Sequence, residues 1–555
     1  MAAAAIMELD EVEAASVAIE RPWRPRVNPW IIALTVTLAT FMEVLDSSIA
    51  NVALPHIAGG LGATQDEATW VLTAYLVANA VILPAGAYMT TFIGRKKFYM
   101  ICVALFGVSS ALCGLAPTLP LLVFCRILQG IGGGGLAPSE QAILADTFEP
   151  AKRGQAFALY GLAVVCAPAI GPTLGGYITD NFNWRWIFFL NVPICLLSLY
   201  LTSRIVEDPP YVKKQVEDTQ KGGLRLDLIG FALLGLTFGS LEFILDKGQE
   251  DDWFGSKLIA FFVCLVVVAF VSMIWWEMKE LREGRRPILN LTLFKRRVFS
   301  ISFGLMFVLG FALYATTLLI PLFVQTLLGY TAELAGLVLS PAGFMMMCMM
   351  PVVGVLSGRV DARKLIGYGF LMLTLSLMWM SNLNLQLSYG QLVFMRCFQA
   401  SGLAFLFIPI NTIAYIGVKQ SENNDVSGLT NLARNIGASC GTAFVATMLT
   451  RRTASHESNM VRRLVPGATG FDRNVARMAG AFRAGNGAGV HGGAFGGASL
   501  GAIHKAQAAI YNQMHAQAAT MAYVDIIRDL VIFCACMLPL LFFIPKPPKN
   551  MTMGH

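Results

Sequence analysis

Three ionisable residues stand where ionisable residues are costly. Glu43 and Asp46 lie inside one apolar run and Arg126 inside another; on insertion scales a charge in the hydrocarbon of a bilayer costs about 2.5–3.5 kcal/mol unless it finds a partner or water. Three residues apart on a helix, Glu43 and Asp46 share a face. With a rise of about 1.5 Å per residue, Glu43 sits roughly 20 Å and Asp46 roughly 24 Å above a helix start at Trp30, and Arg126 reaches roughly 20 Å as well. The three are therefore expected to meet. A carboxylate beside both an arginine and a second carboxylate can hold a proton in one setting and release it in another, which is what coupling to a proton gradient requires. A fixed ion pair that only ties two helices together is the alternative. Glu140, near the inner end of the Arg126 segment, reads as an interfacial or gating residue. Glu242, on a separate segment, is either functional or merely faces a polar neighbour. Asn79, Gln129, Arg396 and Arg434 are further polar side chains inside apolar runs and are candidates for substrate contact or gating.

The elements that carry these residues follow from composition. Of 555 residues, 56% are hydrophobic and only 14% charged, with a mean hydropathy of +0.62, whereas a soluble chain carries roughly 25% charged residues. The predicted fold is an all-α integral membrane protein. Fourteen segments approach the roughly 20 apolar residues that cross a bilayer. Most lysines and arginines fall in the alternate loops that become cytoplasmic when both termini are inside, for example Arg21, Arg24 and Arg26 before the first span and Arg95, Lys96 and Lys97 after the second. The net charge of +7 is thus mainly a mark of topology, and no basic tract suits nucleic acid. The cysteines all lie in apolar stretches and read as small buried hydrophobes without a disulfide framework. The Ala-rich, acidic N-terminus lacks the layout of a cleavable signal.

An internal repeat organises the spans. LLVFCRILQ at 121–129 returns as QLVFMRCFQ at 391–399, an offset of 270 that sets Arg126 against Arg396 and Gln129 against Gln399. The chain divides into a tail (1–29), a six-helix bundle (30–204), a linker (205–225), two inserted helices (226–278), a linker (279–297), a second six-helix bundle (298–545) with an outer excursion at 451–524, and a tail (546–555). Within the excursion the Gly-rich piece from Gly485 to Gly501 reads as a flexible loop.

Two further signals are weaker. GQ-type and proline-containing glycine runs, QGIGGGG at 129–135 and APAIGPTLGG at 167–176, allow close backbone approach and suit either rocking helices or static packing. No Walker-type lysine follows the glycines, so no ATP site is detectable. The run FMMMCMMP at 344–351, with Met346 and Met347, is adaptable enough to line a site for varied apolar ligands, or is core and lipid-facing filler.

Taken together, LDSSIANVALP (45–55), Arg126 to Gly130, GPTLGG (171–176), NWRWIFFLNVP (183–193), LDKGQEDDWF (245–254) and the stretch Asn431 to Gly441 resemble the fourteen-span drug:proton antiporters of the major facilitator superfamily, the EmrB/QacA group, over nearly the whole chain. The resemblance implies proton-driven export of hydrophobic, chemically diverse compounds across the inner membrane, with Asp46 and Arg126 in coupling and no cofactor besides the proton gradient. It implies that Gly171, Pro172, Gly175 and Gly176 form the antiporter motif and that Gly94, Arg95, Lys96 and Lys97 form the cytoplasmic gating loop. In a Gram-negative cell it also implies a periplasmic membrane-fusion adaptor and an outer-membrane channel as partners. Thr91 stands where the superfamily carries an acid, which puts the usual gating salt bridge in doubt, and Ala167 replaces a usual glycine. A dedicated exporter of one metabolite, siderophore or toxin is the alternative. A membrane enzyme is disfavoured because the six histidines are scattered and no metal or triad cluster appears. A sensor is disfavoured because 29 residues before the first span leave little room for a signalling domain.

Overall fold

The computed structural model describes residues 25–221, 227–462, 469–485 and 500–539. Residues 1–24, the end of the 205–225 linker, most of the Gly-rich piece and the 546–555 tail lie outside the described residues.

Helix α1 (Pro29–Leu61) starts where Asn28 accepts the Trp30 amide and Pro29 takes the first position, and it stops at Gly62 in the left-handed conformation. A capping box of Thr64 and Glu67 opens α2 (Gln65–Ile93). Next come α3 (Arg95–Leu115), α4 (Leu119–Gly134) continued by α5 (Leu136–Thr147), α6 (Arg153–Asn181), and α7 (Trp186–Phe189) leading into α8 (Asn191–Ile205). After the linker helix α9 (Pro210–Lys221) stand the inserted pair α10 (Leu228–Lys247) and α11 (Lys257–Arg282). The second half holds α12 (Arg297–Thr326), α13 (Ala332–Ser357), α14 (Ala362–Met380), α15 (Tyr389–Ala414), α16 (Asn423–Val461), α17 (Thr469–Gly485) and α18 (Leu500–Ala535).

Among the described helices ten are long and apolar enough to cross a membrane, or eleven if the bent α6 counts as one span. Fewer segments meet that criterion than the fourteen read from sequence. Helices α14, α16 and α18 occupy the places of the other three. Arg363 and Lys364, Asn431 and Arg434, and Asp525 and Arg528 respectively make these helices more polar.

The halves pack alike. Helix α1 lies along α6 and, 270 residues on, α12 lies along α16. The bundles touch through α6 against α13 and through α16 against α2, pairs that the repeat exchanges. The inserted α10 packs on both α2 and α16, so it closes one side of the seam between the halves.

The described parts of the outer excursion are helical, 451–461, 469–485 and 500–524. Residues 451–461 continue α16, and α17 packs on α18 through Val475, Ala479 and Ala506. The ion pair of Arg452 with Asp529 at 2.5 Å and the hydrogen bond between His456 and Asp525 at 2.8 Å hold α16 to α18 beyond the apolar stretch. The alanine-rich sequence of 500–524 favours helix without lipid, and the two helices run past the expected limits at 450 and 525. Of the cysteines, Cys264, Cys348 and Cys536 are exposed and the rest are buried or half-buried; all are free.

Candidate functional site

Arg126 is fully enclosed. Its Nη1 donates to Asp46 Oδ2 at 2.5 Å and to Gln129 Oε1 at 2.8 Å, and its Nε donates to the Val71 carbonyl at 3.0 Å. The guanidinium also lies 4.3 Å from the centre of the Tyr75 ring. Asp46 Oδ1 accepts from Gln129 Nε2 at 3.0 Å and from Asn191 Nδ2 at 2.6 Å, and Asn191 in turn donates to Ser110 at 2.9 Å. The side chains of Arg126 and Asp46 are 0% and 1% exposed. Every neighbour of Asp46 in this set is a donor, so both of its oxygens serve as acceptors.

Glu43 does not join this cluster as expected. It accepts instead from Tyr75 Oη at 3.3 Å and Asn79 Nδ2 at 3.1 Å, and it is half-buried where Asp46 is sealed. Tyr75 links the two acids, its ring against Arg126 and its hydroxyl on Glu43. Helix rotation decides the difference: α1 turns Asp46 toward α4 and α8, and Glu43 toward α2 and the seam between the bundles. The charge that faces Glu43 across the seam is Arg434.

Glycines set these distances. A Cβ at Gly130 or Gly134 would come within 2.5 Å of the Tyr75 carbonyl and 2.6 Å of the Asn79 carbonyl, so α4 rests directly on the turn of α2 that holds Glu43. In the antiporter motif, a Cβ at Gly171 would strike Ser48 and one at Gly175 would crowd Ile49, whereas Gly176 faces open space. Pro172 has no amide to offer the Pro168 carbonyl. Ser48 reaches that carbonyl with a long 3.5 Å bond, and α6 bends by 41° there.

Glu140, read as interfacial or gating, is fully buried and accepts from Thr37 Oγ1 at 2.5 Å, between α5 and α1, a place that fits the gating alternative better than the interfacial one. Glu242 accepts from Ser439 at 2.6 Å and thereby ties the inserted α10 to α16. Arg434 donates to Tyr160 Oη at 2.8 Å; that hydroxyl donates to Asn431 at 3.1 Å, Asn431 donates to Gln141 at 2.8 Å and Gln141 donates to Asn411 at 3.4 Å. This chain of buried polar groups crosses the seam. Gln141 and Asn411 stand 270 residues apart, the repeat offset itself. Arg396 and Met346 line a cavity with Gln399, but Met347 points away and is 39% exposed.

The loop Gly94–Lys97 contacts different partners from those that its resemblance to the family's gating motif implies. Gly94 has φ +86, a conformation that favours glycine. Arg95 pairs with Asp146 at the end of α5, the Lys96 amide donates to Asp208 at 2.9 Å, and Lys97 is exposed. Thr91, in the acid's slot, spends its hydroxyl on the Tyr88 carbonyl at 2.8 Å. The contact with the other bundle passes to Asn424, which donates to Thr90 at 2.6 Å, and to Asn423, which donates to Asp146 at 2.7 Å.

Sequence reading missed Tyr75, Asn191, Gln141 and Tyr160. Asn191 sits in the quoted 183–193 stretch, and Gln141 was reachable by applying the offset to every buried amide; an aromatic hydroxyl inside an apolar run carries no such signal.

Comparison with known proteins agrees with this architecture. The family model described as Major Facilitator Superfamily matches residues 36–442. The chain is 36% identical over 450 residues to the multidrug export protein EmrB of Escherichia coli, covering 81% of this chain and 85% of that protein. It is 36% identical over 458 residues to the fatty acid resistance protein FarB of Neisseria gonorrhoeae, covering 82% and 88%. The solved proton:xylose symporter XylE superposes with a TM-score of 0.54 at 15% identity over 93% of this chain and 96% of that chain, a likeness of fold alone. Two exchanged helix bundles around a buried arginine, together with these similarities, make the chain a multi-pass membrane protein of the major facilitator superfamily, in its EmrB-like branch.

Proposed function

We propose that the chain is a proton-coupled multidrug efflux antiporter of the cytoplasmic (inner) membrane. It crosses fourteen times with both termini in the cytoplasm and exports hydrophobic compounds by alternating access. The relatives named multidrug export proteins support the export reading, and the observation that carries the coupling is the sealed Asp46–Arg126 pair beside half-buried Glu43. Protonation of Asp46 converts an acceptor of three donors into a group that must itself donate, which loosens Arg126 and Asn191 and with them the packing of α1 on α4 and α8. Loss of the proton restores the locked set. The direct hydrogen bonds between the bundles among the described residues run from Asn423 and Asn424 to Arg434, which supports closure of the end bearing the basic loops.

The test is drug-driven proton release from proteoliposomes. Addition of a hydrophobic cation to wild-type protein is expected to release protons, and Asp46→Asn is expected to abolish that release. Normal proton exchange by a folded Asp46→Asn protein would remove Asp46 from the mechanism. A dedicated exporter is separated by a resistance screen of a deletion strain, where sensitivity to a single compound class replaces a broad change. Under the same reading a periplasmic adaptor docks on the outer excursion at 451–524. Deletion of residues 485–501 with adaptor pull-down unchanged would take the Gly-rich piece out of that contact.

A further inference from the structure

Between the first bundle and the inserted pair, the linker folds back on the loop Gly94–Lys97. Pro210 takes the first position of α9 and brings Tyr211 into its first turn. Val212 is 3% exposed, α9 packs on α2, and Gln220 near its far end donates to the Phe92 carbonyl at 3.4 Å. The linker helix therefore travels with the first bundle.

Two linker side chains serve the loop. Gly94 opens α3 without a capping side chain, and Asp208 supplies the cap in its place. Its Oδ1 accepts the Lys96 amide at 2.9 Å, which sets a carboxylate at the positive end of a helix. A Cβ at Gly94 would come within 2.9 Å of Asp208 Oδ2, so the glycine is needed for this approach as well as for its positive φ. Tyr211 Oη accepts from Arg95 Nη2 at 3.3 Å and donates to Asp146 Oδ2 at 2.5 Å. Arg95 Nη1 donates to the same oxygen. With Oδ2 held by two donors, Oδ1 faces the other bundle, where Asn423 Nδ2 donates to it at 2.7 Å. The side chains of Arg95 and Asp146 are 2% and 3% exposed, so Asp146 depends on these protein donors.

We infer that Tyr211 is a positioning residue for the closure between the bundles at the basic end. Its hydroxyl fixes the rotation of the Asp146 carboxylate and thereby aims Oδ1 at Asn423, and Asp208 seats the linker so that the hydroxyl reaches. Opening breaks the bond from Asn423 to Asp146. Tyr211, Arg95 and Asp208 stay with the first bundle and keep Asp146 set to close again. The inference rests on the alternating-access reading and gives the linker a part in it.

Spin labels at Lys152 and Arg359, in the full chain in lipid nanodiscs and a cysteine-depleted background, report this closure. Tyr211→Phe removes one hydroxyl and is expected to raise the ratio of long to short distances about tenfold, the worth of a hydrogen bond to a charged group. Asn423→Ala is expected to act alike. Because both act on one contact, Tyr211→Phe is expected to add little to Asn423→Ala. An unchanged distribution in folded Tyr211→Phe, or effects that add in full, overturns the inference. Should Tyr211→Phe not fold, Asp208 carries the test with Tyr211 in place. Asp208→Ala is expected to open this end, and Asp208→Asn, which keeps an acceptor for the Lys96 amide, to restore most of the closure. Equal distributions in Asp208→Ala and wild type overturn the inference. Tetraphenylphosphonium is added to wild-type protein in parallel. A distribution that it does not move strikes the alternating-access reading, whereas a responsive wild type beside an unaffected Tyr211→Phe strikes only the part given to the linker.

Discussion

At the scale of single residues, the Arg126 cluster bears first on stability. Arg126→Ala leaves Asp46 buried without its cation, and such a loss costs about 3–5 kcal/mol; Asn191→Ala removes one neutral donor and costs about 1–3 kcal/mol. Thermal unfolding of the purified proteins in detergent is expected to rank them in that order. Arg126→Lys should not restore wild-type stability, because a compact ammonium cannot serve Asp46, Gln129 and the Val71 carbonyl in Arg126's planar geometry. Glu43 makes a different prediction. Glu43→Gln preserves an acceptor for Tyr75 and Asn79 and removes only charge, so efflux of cationic compounds should fall about tenfold relative to neutral ones, equivalent to roughly 1.4 kcal/mol. An equal fall for both classes in transport assays would deny Glu43 a part in reading cargo charge. The pairing of Asp46 with Arg126 was legible in the sequence because a charge inside an apolar run demands a partner. That Glu43 takes Tyr75 and Asn79 was not, since two acids sharing a face are told apart only by helix rotation.

Helices meet at the scale where small residues matter. In the antiporter motif the glycines are unequal. Gly171→Ala forces Ser48 to move and should lower both folded yield and efflux, whereas Gly176→Ala meets nothing within 4 Å and should match wild type in size-exclusion profile and transport. Equal behaviour of the two variants would mean that the α1–α6 contact does not depend on that packing. The sequence marked all these glycines alike, because composition records a small residue but not what lies beyond its missing Cβ. Helix existence was better encoded. The caps at Asn28, Thr64 and Ser388 and the long apolar runs place the starts of α1, α2 and α15, while the polar extensions of α16 and α18 beyond the apolar stretch were read as loop because hydropathy reports burial in lipid and not helicity.

The whole molecule is held in one of its arrangements by a small polar seam. Asn423 and Asn424 reach across to Asp146 and Thr90, and Gln141, Tyr160, Asn411, Asn431 and Arg434 extend the seam inward. The neutral members of this seam are worth only about 0.5–1.5 kcal/mol each, and the two that involve Asp146 and Arg434 about 1.5–3 kcal/mol, few enough to suit a closure that opens and shuts. Replacing Asn423 and Asn424 together by alanine is expected to lengthen and broaden the distance between spin labels at Lys152 and Arg359, exposed sites on opposite bundles at the basic end, in a cysteine-depleted background. An unchanged distance distribution would show that apolar packing alone shuts that end.

Alone, the sequence determined the membrane setting, the helical class, the twofold plan with its offset of 270 and the few charges worth following. Each of these rests on a rule that acts locally or along the chain: apolar length, capping, charge placement and self-similarity. The tertiary structure alone decided which acid answers Arg126, which glycines bear on a neighbour, and that Arg396 meets no acid among the described residues. Those outcomes depend on how each helix is rotated and crossed by all the others, and a side chain's partner in low dielectric is fixed by that geometry rather than by its place in the chain.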